Sequence, residues 1–157
     1  MPEAAYDGRF VHFVVLFNVD EDYFECHEVM EELWLEEGRN LLYQGLLQVA
    51  VGLHHWRNDN RSGAVKLFTA ALEKLAGYAD VELGLDLGRL KSDTRLALAA
   101  LTAYRAAEAE AGRTGAGRPK PPPFQPYRIA VLDPVLAALA DELAAVPLEE
   151  RLHGEED

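Results

Sequence analysis

The sequence is poor in cysteine and has no long apolar stretch. Its 157 residues include one cysteine, Cys26, so no disulfide can form within the chain and a reducing compartment, the cytoplasm, is the expected location. The apolar run from Phe10 to Phe17 is interrupted by His12 and is far shorter than the roughly 20 residues that a membrane-spanning helix needs. The first residues, Met1 to Gly8, lack the positively charged start of a signal peptide. We therefore expect a protein that is neither exported nor inserted into a membrane.

Basic residues are also scarce. Lys and Arg number 15 against 27 Asp and Glu, which gives a formal net charge of −12, and the basic residues form no run. A field of this sign repels phosphate, so nucleic acids and anionic membranes are disfavoured as partners. What is present is ordinary for a folded protein, with 49% hydrophobic and 27% charged residues. The length predicts a single domain spanning residues 1–157.

Hydrophobic periodicity predicts an all-α fold, a compact bundle of five to six helices. The predicted helices run from about Phe10 to Phe17, Glu21 to Glu37, Asn40 to Trp56, Gly63 to Leu75, Leu90 to Ala111 and, after the cap Asp133, Pro134 to Ala145. The third is apolar almost all round, and we expect it to be the central helix of the bundle. We find no pattern typical of a strand pair.

Three segments are predicted to lack regular structure. Tyr78 to Gly88 is interpreted as a loop with at most one helical turn. The stretch from Gly112 to Pro126 is rich in Gly and Pro and is predicted to be a mobile loop. The acidic tail from Glu149 to Asp157 is predicted to fray.

The most conspicuous side chains form a His–carboxylate cluster on the second predicted helix. His27 and Glu31 are four residues apart, and Glu28 lies on the same flank, so the three share one side of the helix. Phe24 and Leu35 lie among them. If those two apolar side chains are buried, the carboxylates between them are partly buried and need a cation, a hydrogen-bond donor or a proton.

The central helix carries a narrow polar stripe of Gln44, Gln48 and His55. The turn that joins the second and third helices is short, so the two are expected to be antiparallel neighbours. That arrangement would place Gln44 near Glu31 and Gln48 nearer His27. The sequence therefore predicts a polar cleft between the two helices.

Three interpretations of this cleft stay open. In the first, the protein is a binding or accessory protein whose cleft holds a small ligand, a divalent metal ion or a partner helix. In the second, it is a metal-dependent hydrolase with His27 as a metal ligand and Glu28 or Glu31 as general base. A metal or small-ligand site would use His27, Glu28, Glu31 and one of the two histidines His54 and His55. Of these, His27, Glu31 and His55 are the candidate metal ligands, and they suit zinc, manganese or iron.

In the third interpretation, the polar residues form a purely structural network, and Gly45 and Gly52 on the central helix allow a close contact between copies of the chain. Known metal templates do not fit the cluster. Glu31 stands where H-E-x-x-H requires its second histidine, and no glutamate lies three residues before His27. Cys26 faces the apolar side of its helix and is interpreted as an inert core thiol.

The order and spacing of these residues resemble those of a known protein family. The series Phe17-Asn18, Tyr23-Phe24-Glu25-x-His27-Glu28-Val29-x-Glu31-Glu32-x-Trp34, Tyr43-Gln44-Gly45-Leu46-x-Gln48-x-Ala50, His54-His55 and Asn60-x-x-Gly63-Ala64 resembles the bacterial and archaeal family called domain of unknown function 309. The resemblance covers about Phe10 to Leu75, and Cys26 stands where the family usually has Ala. It implies a compact all-helical fold and no particular activity. It marks His27, Glu28, Glu31, Trp34, Gln44, Gln48, His55 and Asn60 as candidate binding residues.

Overall fold

The structure, a computed structural model, describes residues 6–156. This range contains seven α-helices: α1 (Gly8–Val15), α2 (Tyr23–Glu36), α3 (Leu41–Arg57), α4 (Arg61–Leu75), α5 (Leu87–Thr114), α6 (Pro134–Ala144) and α7 (Leu148–Glu156). A π-helical segment, Leu16–Asp20, follows α1, and β1 (Val81–Glu82) pairs antiparallel with β2 (Leu85–Asp86). The predicted all-α class is confirmed. The prediction about the first residues lies largely outside the described range.

The helices begin where polar side chains can cap them. Asp22, Asn40, Asn60 and Asp86 each stand before a helix and accept a hydrogen bond from a backbone N–H of its first turn. Asp133 does the same before α6, with Pro in the first turn of that helix. These local signals explain why most predicted helix boundaries agree closely with the structure.

The central helix α3 packs between α2 and α4. Two of its glycines allow the close approach of α4, since a Cβ at Gly45 would lie 2.6 Å from Leu75 Cδ2 and one at Gly52 would lie 2.5 Å from Phe68 Cε1. The two glycines thus allow a close contact within one chain, between α3 and α4. Because α4 covers Gly45 and Gly52, they do not offer the predicted contact surface to a second copy of the chain.

The predicted loop from Tyr78 to Gly88 contains the β1–β2 hairpin, so the expectation of no strand pair was wrong. Leu83 and Gly84 both have positive φ, 51° and 75°, as in the two-residue turns that match the twist of a hairpin. Each strand has only two residues, too few to produce an alternating pattern. A further antiparallel bridge joins Leu85 to Val131.

The Pro-rich segment has no regular secondary structure beyond Thr114, and its end contacts the helices. Helix α5 continues to Thr114, and residues 116–132, here called the strap, then lead to α6. The Phe124 ring lies 6.4 Å from the ring of Tyr23 and 5.3 Å from that of Trp56, measured between centroids. These ring contacts hold Phe124 against α2 and α3, while the mobility of the segment stays a prediction.

Two polar contacts, here called the clasp, join the π-helical segment to the C-terminal part. The Asn18 side-chain amide donates to the carbonyl of Ile129 and accepts from its N–H, both at 2.8 Å. Arg151 donates to both carboxylate oxygens of Asp20, at 2.8 and 3.0 Å. Arg151 lies on α7 and is buried, so this residue of the predicted frayed tail is packed against the rest of the chain.

None of the helices in residues 6–156 combines the length and the apolar character that crossing a membrane requires.

Candidate functional site

Helix α2 presents a stripe of four exposed side chains, Phe24, Glu28, Glu31 and Leu35, here called the outer stripe. Their spacings of four, three and four place them on one side of the helix. Phe24 is 52% and Leu35 48% exposed, and the side chains of Glu28 and Glu31 are 55% and 45% exposed. The sequence-based expectation of partial burial depended on Phe24 and Leu35 being buried, and they are not. The buried side of α2 holds Cys26, among others.

His27 joins the two carboxylates of the outer stripe. Its Nε2 lies 3.0 Å from Glu31 Oε2, and its Nδ1 lies 3.6 Å from Glu28 Oε1. The His27 side chain is 34% exposed, so water screens both contacts. Contacts of this kind along a helix surface stabilise it by only about 0.5 kcal/mol each. The three residues therefore form the cluster that the sequence predicted, at the surface.

Of the two adjacent histidines on α3, His54 faces α2. Its ring centroid lies 6.0 Å from that of Phe24. Burial lowers the pKa of His54, and the neighbouring His55 and Arg57 lower it further. Its Nδ1 is buried without a hydrogen-bond partner among the described residues. The predicted polar stripe contains His55, so the structure puts the other histidine of the pair beside α2.

His55 belongs to a different contact. Its Nδ1 lies 3.2 Å from Asn60 Nδ2, and Asn60 is the residue that caps α4. Adjacent helical residues point about 100° apart, so only one member of the histidine pair can face α2. Spacing within the sequence did not show which of the two it would be.

The glutamine stripe of α3 lies towards α4. Gln48 is three residues after Gly45 and four before Gly52, and both glycines contact α4 side chains. Gln48 therefore shares their side of the helix, where its Oε1 is buried without a hydrogen-bond partner in the described part of the chain. Gln44, four residues earlier, is half-buried on the same side. The structure thus separates this stripe from the outer stripe, whereas the sequence-based cleft combined them.

Trp34 lies three residues beyond Glu31 on α2 and is half-buried. The guanidinium of Arg39 stands 5.8 Å from the centre of its ring, at the turn between α2 and α3. The Nε1 of Trp34 is buried and has no hydrogen-bond partner within residues 6–156. Trp34 therefore lies at the turn between α2 and α3, beside the outer stripe.

The geometry does not assemble the predicted metal ligands. Within the described residues, no group of three His, Cys, Asp or Glu side chains is arranged so that it could hold a metal ion. His27 and Glu31 are adjacent, but His55 contacts Asn60. Cys26 is fully buried, and burial raises the pKa of its thiol well above the usual value, which agrees with an unreactive core residue.

The chain is similar to proteins that are described as uncharacterized. Residues 10–67 match the family model described as domain of unknown function (DUF309), which confirms the resemblance. YpuF of Bacillus subtilis (strain 168), an uncharacterized protein, is 41% identical over 90 residues, which are 54% of this chain and 52% of YpuF. An uncharacterized protein of Aquifex aeolicus (strain VF5) is 28% identical over 74 residues, 45% of this chain and 22% of the relative. The chain thus spans about half of the first relative and less of the second.

Proposed function

We propose that the outer stripe of α2 docks a basic, amphipathic helix of a partner protein, and that the protein acts as a binding module. The observation that carries this proposal is the arrangement of the stripe, in which exposed Phe24 and Leu35 stand at the ends and exposed Glu28 and Glu31 stand between them. The stripe thus combines apolar and negatively charged side chains on one face of α2, the two kinds of group that a basic amphipathic helix can contact at once.

The spacing of the stripe fits a helix rather than an extended peptide. Intervals of four, three and four residues are those by which coiled-coil helices meet their partners. At the rise of an α-helix, Phe24 and Leu35 lie about 16 Å apart along the axis, a span that a partner helix of similar length can cover. The partner would place apolar side chains against the two ends and Lys or Arg against the two carboxylates.

The charge of the stripe selects a partner over a second copy of the chain. In a two-fold antiparallel pair, Glu28 of one copy would lie against Glu31 of the other, and like charges at such positions destabilise a contact. The net charge of −12 adds a long-range repulsion between copies. A basic helix would instead be attracted by Glu28 and Glu31 and by the negative net charge of the chain.

The other interpretations lack a comparable observation. A metal-dependent hydrolase would need a third ligand beside His27 and Glu31, and no group of three such ligands occurs among the described residues. A structural network would need burial, yet His27 and both carboxylates are between 34% and 55% exposed. A binding surface accommodates this exposure.

The test uses a labelled synthetic helical peptide that carries Leu, Arg, Arg and Leu at the same spacing. Fluorescence anisotropy with the full chain should show saturable binding. The double variant Phe24→Ala/Leu35→Ala should bind at least about tenfold more weakly, since two large apolar contacts are lost. The matched control, Leu132→Ala/Val135→Ala, removes side chains that are 50% and 52% exposed outside both proposed sites and should bind like the unchanged protein.

Two further measurements make the proposal easy to overturn. A peptide with Glu in place of Arg should not bind, and binding to the Arg peptide should weaken as salt is added. Equal binding by both double variants, or no binding of the Arg peptide to the unchanged protein, would contradict the proposal. So would sedimentation showing that the chain dimerises and that Phe24→Ala/Leu35→Ala abolishes the dimer, because the occupant would then be a second copy.

A further inference from the structure

A cavity of about 360 Å³ lies between the end of α3, one side of α5 and the strap. It is open to solvent on one side and lined by Trp56, Asp93, Ala97, Ala100, Pro126 and Tyr127, among others. None of these residues belongs to the outer stripe. The volume falls within the range of small-molecule sites, roughly 300–1,000 Å³.

The cavity exists because α5 presents small side chains where the strap crosses it. Asp93, Ala97 and Ala100 follow one another at spacings of four and three and so share one side of α5. An alanine ends at Cβ, and the rigid rings of the strap's prolines cannot reach down to fill the space that is left. The gap between helix and strap therefore follows from the sequences on its two sides.

Contacts with α3, α5 and the π-helical segment fix the position of the strap beside the cavity. Phe124 packs edge-on against Trp56 at 5.3 Å, and the Tyr127 hydroxyl lies 2.9 Å from Thr94 Oγ1. Asn18 fixes Ile129 a short distance further along the strap through two hydrogen bonds. A site with fixed walls loses little conformational entropy when a ligand binds, which favours affinity.

The lining combines aromatic rings with a carboxylate. Trp56, which is 5% exposed, and Tyr127 are both among the lining residues. The Asp93 side chain is 27% exposed, and its ion pair with Arg89 is long, 3.8 Å between Arg89 Nε and Asp93 Oδ2, with the Arg89 side chain 68% exposed. Such an exposed pair stabilises little and can give way to a ligand. A cation beside aromatic faces gains further from their negative π-systems.

We propose that this cavity binds a small organic cation, an amine that carries one ring. The ring would lie against Trp56 and Tyr127, and the ammonium group would be bound by Asp93. The negative field of the chain attracts such a ligand, whereas it repels an anion of the same shape. This site is independent of the helix-docking surface on α2.

The test measures phenethylamine binding to the full chain through Trp fluorescence. In a Trp34→Phe background, Trp56 is the remaining tryptophan, so its emission should change saturably as phenethylamine is added. Phenethyl alcohol, of the same shape without the charge, and the anion 3-phenylpropionate should bind at least about tenfold more weakly, because a hydrogen bond between charged groups is lost. Asp93→Asn should weaken phenethylamine binding by a similar factor.

Two substitutions on α5 locate the binding. Ala100→Leu adds bulk to the cavity lining and should abolish the signal, whereas Ala99→Leu places the same side chain on a neighbouring exposed position outside the lining and should leave binding unchanged. Circular dichroism should show that every variant folds. The proposal is overturned if phenethyl alcohol binds as well as the amine, if Asp93→Asn has no effect, or if the two leucine variants bind equally. Phe24→Ala/Leu35→Ala should retain phenethylamine binding, which separates this outcome from that of the helix-docking test.

Discussion

Two groups of polar side chains, the cluster on α2 and the clasp, have opposite environments. In the cluster, the His27 side chain is 34% exposed and that of Glu31 is 45% exposed. In the clasp, the side chains of Asp20 and Arg151 are 14% and 3% exposed. The cluster is conspicuous as a string of letters, whereas the clasp is spread over distant parts of the chain. Prominence in the sequence is therefore a poor guide to which polar contacts are buried.

The difference in burial has an energetic consequence. Exposed ion pairs contribute about 0–1 kcal/mol, because water and salt screen them. Removing one partner of a buried pair costs about 3–5 kcal/mol, because the other charge is left without compensation. We therefore expect the clasp and the strap to carry stability, and the outer stripe to be open to binding without a large cost to the fold.

The largest effect should come from Arg151→Met. This change leaves the Asp20 carboxylate without its cation and should lower the free energy of unfolding by about 3 kcal/mol, measured in urea. Arg113→Met, which removes the exposed partner of Glu110, is the matched control and should change stability by less than about 0.5 kcal/mol. Equal losses of unfolding free energy in the two variants would contradict the expected difference between a buried and an exposed ion pair.

The next largest effect on stability is expected when a phenylalanine of the strap is replaced by alanine, compared with the same replacement in the outer stripe. Phe124→Ala removes the ring that contacts Tyr23 and Trp56 and should cost about 2–3 kcal/mol, with a weaker near-ultraviolet circular dichroism signal. Phe24→Ala removes a ring that is 52% exposed and should cost less than about 1 kcal/mol. If Phe24→Ala lowered the temperature of thermal unfolding more than Phe124→Ala, the contacts of Phe124 would contribute little to stability.

A smaller loss is expected for Asn18→Ala, which removes both hydrogen bonds to Ile129. We expect a decrease of about 2 kcal/mol in unfolding free energy and faster hydrogen exchange at the Ile129 amide. Asn58→Ala is the control, since Asn58 makes an exposed side-chain hydrogen bond to the His54 carbonyl. If exchange at Ile129 does not change, the strap is held by other contacts.

The smallest effect is expected on α2. His27→Ala and Glu31→Gln should each alter the unfolding free energy by about 0.5 kcal/mol or less, and a double-mutant cycle should give a coupling energy of the same size. A loss greater than about 2 kcal/mol in either single variant would favour the structural network, and the contrast between the cluster and the clasp would disappear.

Much of the helical framework could be predicted because its signals are local. Asn40 before α3 and Asp133 before α6 mark helix starts through hydrogen bonds to residues two or three positions away. The burial of α3 follows from its apolar residues. The hairpin at Leu83 and Gly84 was missed because two-residue strands leave no periodic trace.

The candidate site was predicted only in part. His27, Glu28 and Glu31 lie together because positions three and four apart on a helix are neighbours. The choice between His54 and His55 could not be predicted, since it depends on the rotation of α3 against α2 and α4. The exposure of the carboxylates was also not predictable, because whatever covers or uncovers α2 comes from elsewhere in the chain.

The helices, their caps, the central place of α3 and the acidic character of the surface follow from the sequence, because each depends on neighbouring residues or on composition. Which polar groups are buried depends on how the helices pack. Asn18 meets Ile129 across 111 residues, and Asp20 meets Arg151 across 131. Contacts at such separations leave no mark in local spacing, so the sequence alone does not reveal which residues of the Pro-rich stretch and the acidic tail are packed.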